Sequence, residues 1–389
     1  MTQKTDDLIA FVRSLYGDEF IPLHRPVFNG RERDYLVRAV DSNFVSSVGV
    51  EVNRFEDMVA DYTGAKYAIS CVNGTAALHV SLILAGVEQG DEVLSQPLTF
   101  IATCNAISYT KAKPVFIDVD RDTMGMSPSS LQAWLTANTH QKDGHCVNKN
   151  TGAVVRACVP MHTFGLPLRI KEIADICKAH NIVLIEDAAE SLGSWVGDTH
   201  TGNFGALATL SFNGNKVITT GGGGMILTND EALAKRAKHM TTTSKIPHPY
   251  EFVHDEVGFN YRMPALNAAL GCAQMEMLPQ MQAIKATIAK QYQDYCAKND
   301  WNYVHPLPGT KANYWLNALC LDDLATREAF LKQTNTAGVM TRPVWRLMNE
   351  LEMFKDCEHD GVANAKWLEA RIVNIPSSVP DAQIESLTL

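Results

Sequence analysis

Ser211–Phe212–Asn213–Gly214–Asn215–Lys216, followed by Thr219, Thr220 and the glycines 221–224, is the segment of this chain richest in reactive groups. A lysine close to a serine, among Gly and Asn residues that let the backbone approach, can form an imine with an aldehyde cofactor while the serine helps hold a phosphate. The plainer reading is a solvated loop lysine. Ile185–Glu186–Asp187–Ala188–Ala189–Glu190 closes the most apolar strand candidate. An acid at the carboxyl end of a parallel strand lies where open α/β sheets bind ligands, so Asp187 can hold a cationic ring nitrogen or, alternatively, cap a helix. Asn73–Gly74–Thr75–Ala76–Ala77–Leu78 follows an apolar run and opens a helical pattern. Free N–H groups and a hydroxyl at the positive end of a helix suit a phosphate, although Asn73 or Thr75 could be a simple cap. The glycine run matches neither GxxxxGK[ST] nor GxGxxG, so neither nucleotide-loop rule is met.

These groups need a scaffold, and the apolar runs supply it. YAISCV (67–72), DEVLSQ (91–96), PVFIDV (114–119), VRACVPM (155–161), IVLIEDA (182–188), ATLSF (208–212) and GMILT (224–228) alternate with helical segments. Strands of that length between helices predict a large, mainly parallel seven-stranded sheet covered on both faces. The division read from the pattern is a helical segment at 1–20, a large α/β domain at 21–245 and a smaller C-terminal α+β domain at 246–389. Between Leu131 and Ala157 an inserted hairpin is expected, turning at Asn150–Thr151–Gly152. A polar, Pro-punctuated stretch of about 24 residues after Met240 is too long for an ordinary connection, and a long helix is expected from Ala265 to Lys298.

Composition excludes several classes. The 389 residues are 46% hydrophobic and 20% charged, with 34 Lys+Arg against 43 Asp+Glu and a net charge of -9. No stretch approaches the roughly 18 uncharged apolar residues of a membrane span. The amino terminus lacks the marks of a signal peptide, so the expected location is the cytoplasm. The 9 cysteines are scattered singly, which argues against a disulfide framework or a zinc site. No basic block suggests a nucleic acid partner.

NGTAAL, EDAAE and SFNGNKVITTGGGGM occur in that order, with PLTFIAT at 97–103 and GFNYRMP at 258–264. Together they resemble the DegT/DnrJ/EryC1/StrS sugar aminotransferases, which are fold-type I pyridoxal-phosphate enzymes. The resemblance extends from about Pro22 to Pro380. It implies pyridoxal 5'-phosphate as cofactor, Lys216 as the Schiff-base lysine and Asp187 as the carboxylate on the pyridinium nitrogen. It also implies a phosphate cup of Gly74, Thr75 and Ser211, and Phe100 stacked on the ring. Glu190 falls where a polar side chain meets the cofactor's 3-oxygen, a position at which many relatives have Gln or His. Asn260 resembles the residue that reaches the phosphate from a neighbouring subunit, which implies a homodimer with shared sites. The amino donor implied is glutamate, released as 2-oxoglutarate, and the acceptor a nucleotide-linked keto-sugar. Relatives that act as sugar dehydratases carry His in place of the lysine, so Lys216 favours transamination. A cofactor-binding sensor without turnover is the reading from another class.

VSSVG, MHTFG, KIPHPYEF and GVMTRPVW are most similar to the aminotransferases of legionaminic-acid and bacillosamine pathways, which aminate carbon 4 of a nucleotide-linked 2-acetamido-4-keto-2,4,6-trideoxy hexose. A weaker similarity is to GDP-perosamine synthases. A nucleotide diphosphate needs cations, and Lys245, His248, Arg262, Arg342 and Arg346 are the candidates. Arg342, at a strand-to-turn junction, is the preferred phosphate or carboxylate contact, with a surface ion pair as the alternative. Trp345 could line the sugar or base pocket or belong to the core. His162 could stand near the cofactor or be a satisfied structural histidine.

Overall fold

The computed structural model describes residues 2–384 and 387. Each of the seven apolar runs is a strand: β1 Tyr67–Cys71, β2 Glu92–Ser95, β3 Lys113–Phe116, β4 Val155–Val159, β5 Val183–Asp187, β6 Leu207–Ser211 and β7 Gly224–Thr228. They form one sheet in the order β1-β7-β6-β5-β4-β2-β3. Strand β7 runs antiparallel to β1 and β6, and the remaining pairs are parallel. Side chains alternate across a strand, so along β4 Ala157 and Val159 enter one apolar cluster while Cys158 enters another. A parallel sheet buried on both faces must be apolar on both, which is why these strands read as continuous runs.

Helices follow the strands and cover the faces. The first three are α1 Thr2–Tyr16, α2 Glu32–Asp41 and α3 Val50–Thr63. Then come α4 Gly74–Leu84, α5 Ile101–Tyr109, α6 Pro128–Asn138, α7 Ile170–Ala179 and α8 Glu231–Thr241. Leu78, Ala106 and Ala237 of α4, α5 and α8 pack on one face of the sheet, and Leu131, Trp134 and Ile173 of α6 and α7 on the other. The inserted hairpin pairs 139–142 with 145–148. Its turn is at Asp143–Gly144, both at positive φ (51° and 79°), rather than at the expected 150–152. An Asp-Gly pair suits the tight two-residue turn better, and the Asn150–Gly152 stretch makes the next bend, with Gly152 N–H donating to Asn148 O at 2.9 Å.

Helix α9 is Ala265–Lys298, 34 residues long with Pro279 inside it. Its first half packs on the large domain, where a Cβ on Gly271 would come within 2.6 Å of the Phe55 ring. Its second half, through Ile288, Tyr292 and Cys296, belongs to a separate cluster. That cluster contains Phe330 of α10 (Leu324–Thr336) and the small sheet of β8 Asn317–Cys320, β9 Arg342–Pro343 and β10 Ile372–Ile375. Leu8, Ile9 and Val12 of α1 complete it, so the N-terminal helix is seated on the small domain of its own chain. The packing moves the domain boundary away from 245/246. Residues 259–261 stay with the large sheet, because Val72 N–H donates to Tyr261 O at 2.9 Å and Phe259 and Tyr261 join the cluster around Ile69. The change of partner falls inside α9, since one continuous helix carries the chain from one core to the other. All 9 cysteines are free thiols. Among the described residues no helix is long and apolar enough to cross a membrane.

Candidate active site

The carboxyl ends of β5 and β6 and the start of α4 meet at one cavity of about 330 Å³. Asn73 begins the site as the N-cap of α4, its Oδ1 accepting from Ala76 N–H at 2.8 Å. At Gly74, which follows, a side chain would be tight: a Cβ there would lie 3.1 Å from Ser211 Cβ. The free N–H end of α4 is thus brought against the end of β6, where the helix dipole favours an anion. Thr75 and Ser211 line the same pocket.

Asp187 ends β5, and its carboxylate accepts from Thr103 Oγ1 at 2.7 Å and from Ala189 N–H at 3.2 Å. Burial pushes its pKa up, and those hydrogen bonds and Lys216 only partly offset that. A cation placed opposite a buried carboxyl favours its ionised form. Glu190, also buried and also pushed up by burial, faces Lys216 with Oε1 3.2 Å from Nζ. Its Oε2 accepts from Phe164 N–H at 2.8 Å. Phe164 holds that N–H in place from a left-handed backbone, φ 59°, a conformation that a bulky residue keeps only where its surroundings impose it. The other side of Lys216 Nζ lies 4.0 Å from the centre of the Trp315 ring, close enough for a cation–π contact.

Gly74, Thr75, Phe100, Asp187, Glu190, Ser211 and Lys216 therefore line a single cavity, together with Thr103, Trp315 and Trp345. Phe100 is half exposed at its mouth and Trp345 stands 6.3 Å away, edge to face. Asn260 does not line the cavity within one chain. It is on an arm of 242–260 held by the bridges Thr242 to Asn260 and Lys245 to His254.

The candidate cations separate. A second cavity of about 660 Å³ adjoins the first through Asn215, Trp315 and Trp345, and Arg342 and Arg346 line it. Arg346 pairs with Glu369 at 3.2 Å, whereas Arg342 is exposed and has no acid partner among the described residues. Arg262 is buried against Glu56 at 2.6 Å and donates to Ser70 O at 3.1 Å, so it is part of the framework. Lys245 lies over the Phe252 ring at 3.9 Å and His248 accepts from Glu251 N–H at 2.9 Å, both on the arm. His162 does not line the cavity either. Successive strand residues face opposite ways, so Glu186 points away from the Asp187 side, and His162 Nε2 meets it at 3.1 Å while Nδ1 accepts from Leu168 N–H at 3.3 Å. With Nδ1 an acceptor the proton is on Nε2, and the ring is a buried structural group.

Three residues of the site were not singled out from the sequence. Thr103 lay inside the quoted PLTFIAT, within the first turn of α5 after Phe100. Phe164 lay inside MHTFG, where nothing local announces a left-handed backbone. Trp315 was read only as part of a strand-like segment of the small domain.

A lysine amine, a buried strand-end carboxylate and an anion-ready helix start at the carboxyl edge of this seven-stranded sheet define a fold-type I pyridoxal-phosphate aminotransferase. The chain belongs to the DegT/DnrJ/EryC1/StrS aminotransferase family, whose model matches residues 27–386. Its cofactor is pyridoxal phosphate, and the residues present fit it: Gly74, Thr75 and Ser211 line the pocket at the anion-favouring start of α4, and Asp187 is a buried carboxyl in the same pocket. The chain is 35% identical to EpsN of Bacillus subtilis (strain 168), named as a pyridoxal phosphate-dependent aminotransferase, over 86% of this chain and 84% of that one. It is 33% identical to the GDP-perosamine synthase of Escherichia coli O157:H7, over 92% and 93% of the two chains. The solved aminotransferase from Psychrobacter cryohalolentis is 27% identical and superposes with a TM-score of 0.81, covering 93% of this chain and 96% of that one.

Proposed function

We propose that this enzyme moves an amino group from glutamate to carbon 4 of a nucleotide-linked 4-keto-6-deoxy sugar. The acceptor proposed is a UDP- or GDP-linked 2-acetamido-4-keto-2,4,6-trideoxy hexose, on the way to a bacterial surface glycan or legionaminic (nonulosonic) acid. The observation that carries the transamination is Lys216 Nζ, 3.2 Å from Glu190 and in one cavity with Asp187. When bound, pyridoxal phosphate supplies an aldehyde and an electron-accepting ring. Asp187 would hold the ring nitrogen in its protonated state by placing a carboxylate against it. Gly74, Thr75 and Ser211 take the phosphate, Phe100 covers the ring and Glu190 meets the 3-oxygen. Lys216 takes the proton from the amine-bearing carbon and returns it, as the base placed to do so.

Arg342 supports an anionic acceptor, since its guanidinium is unpaired and faces a chamber that opens from the Lys216 cavity. Trp345, shared by both chambers, stands where sugar and nucleotide would join. Asn260 supports a homodimer with shared sites. The exposed apolar side chains Phe44, Val48 and Val50 on one side and Tyr250, Phe252 and Val257 on the arm are surface that a second copy would cover. A second reading, GDP-perosamine synthesis from GDP-4-keto-6-deoxymannose, draws on the 33% identity to such synthases over 92% of this chain. The test is the absorbance of the protein with pyridoxal phosphate before and after glutamate, followed by a screen of UDP- and GDP-linked keto-sugars for return of the original band. A band that glutamate leaves unchanged would defeat the donor assignment. Return of the band with GDP-4-keto-6-deoxymannose alone would select the second reading.

A further inference from the structure

Lys285, on α9 behind the cavity, is 2% exposed, and among the described residues no carboxylate is paired with it. Its ammonium donates to three neutral acceptors: His24 Nε2 at 3.0 Å, Trp315 O at 3.3 Å and Ser377 O. Since His24 Nε2 accepts, the ring proton is on Nδ1, which is shut from solvent and turned toward the Asn215 backbone. Burial drives the Lys285 pKa down to about 7. A charge buried without a counter-charge destabilises the fold, so the contribution of this lysine is to be sought in what it holds.

Trp315 is the link to the chemistry. Its carbonyl takes Lys285, its N–H donates to Asn313 Oδ1 at 2.9 Å, and its indole N–H donates to Asn215 O at 2.7 Å. Its ring faces Lys216 Nζ. Asn313 in turn donates from Nδ2 to the Glu190 backbone carbonyl at 2.8 Å. Both groups that hold the Lys216 amine, the indole face and the Glu190 carboxylate, are therefore tied to the segment 313–315. Lys285 pins that segment to α9, to the start of the large domain at His24 and to the small domain at Ser377.

We infer that Lys285 is a positioning residue for Lys216: by fixing the Trp315 carbonyl it sets the indole face and the Asn215 carbonyl that fix where the amine stands. Trp315 is the group in contact with the reacting atom, and Lys285 acts through it. The inference rests on Lys216 being the lysine that bonds the cofactor. It is tested on the full-length protein with Lys285→Met, Lys285→Gln and Trp315→Phe. The readouts are the rate at which the lysine-bound cofactor band appears on adding pyridoxal phosphate, the single-turnover rate with glutamate, and thermal melting.

Lys285→Met is expected to melt no lower than the wild type at pH 7, yet to form the band and turn over about ten-fold more slowly, with half-saturation by glutamate unchanged. Lys285→Gln, which can still donate to the Trp315 carbonyl, recovers most of the rate. Wild-type rates in Lys285→Met, or a rate loss matched by a fall in melting temperature that Lys285→Gln does not repair, overturn the inference. If Lys285→Met does not fold, Trp315→Phe decides: it keeps a ring but loses the donor to Asn215, and wild-type rates there overturn the inference equally. Failure of the wild type itself to form a band would instead defeat the assignment of Lys216.

Discussion

On the large-domain wall of the cavity, Asp187 and Ser211 are the last residues of β5 and β6 and Lys216 follows five residues later, within reach of Glu190. On the opposite wall Trp315 and Trp345 come from the C-terminal part of the chain, and beyond them Arg342 lines the adjoining cavity, exposed and without an acid partner among the described residues. The first wall takes its geometry from strand ends, where the sheet dictates the position of each Cα to within a hydrogen bond. The second takes it from side-chain contacts between two cores joined by α9. Groups that perform the chemistry are thus fixed by the backbone, while groups that face the variable part of a substrate are held more loosely and can be altered without dismantling the sheet.

Substitution should divide the two walls by kinetic signature. Lys216→Ala is the largest effect expected: loss of the glutamate half-reaction by at least about 10³-fold, read by single-turnover absorbance. Asp187→Asn comes next, with kcat lowered by roughly 10²–10³-fold because a neutral amide no longer stabilises a protonated ring nitrogen. Arg342→Ala is expected to raise KM for the nucleotide-sugar about ten-fold or more while leaving kcat in place. A fall in kcat comparable to that of Asp187→Asn would abolish the contrast between the walls.

Gly74→Ala tests the backbone side more gently. Its Cβ would sit 3.1 Å from Ser211 Cβ, so α4 must retreat by a few tenths of an ångström. Affinity for pyridoxal phosphate, measured by titration of the absorbance band, should drop a few-fold with the melting temperature little changed. The smallest effect concerns Lys285, at about 7 in the fold against 10.5 in the open chain. Between those values the unfolded chain binds the additional proton, so stability rises with pH across that window. Lys285→Met should lose that rise, and equal melting shifts from pH 7 to 9 in variant and wild type would show that Lys285 is not desolvated.

Much of the architecture was legible because its signals are local. Seven short apolar runs became the seven strands, and α9 spans the residues that its pattern outlined. Two Gly-containing turns stand eight residues apart and both form: the one expected at 150–152 brings Val147 against Val154, and the one at Asp143–Gly144 joins the longer strand pair. The expected domain boundary rests on a composition change that marks where the arm begins, whereas α9 carries the chain from the cluster around Phe55 to the cluster around Tyr292 without interrupting its pattern. His162 and Arg262 have ambiguous sequence signals. A histidine or arginine at a strand end looks the same whether it faces a ligand or a buried glutamate, and the partners Glu186 and Glu56 lie 24 and 206 residues away in the chain.

What the sequence by itself determined is which groups stand at the strand ends. Asp187, Ser211 and Lys216 follow apolar runs directly, and Asn73–Gly74–Thr75 opens a helix, so each position is set by neighbours a few residues off through strand alternation and helix capping. What only the tertiary structure decided is how the amine is held. The indole N–H of Trp315 meets the Asn215 carbonyl across 100 residues of chain, and Asn313 reaches the Glu190 carbonyl across 123. Contacts of that range arise when segments far apart in the chain pack into one core, as Trp315 does with Phe212 and Leu192, and they carry no periodicity, spacing or turn chemistry that a linear reading could detect.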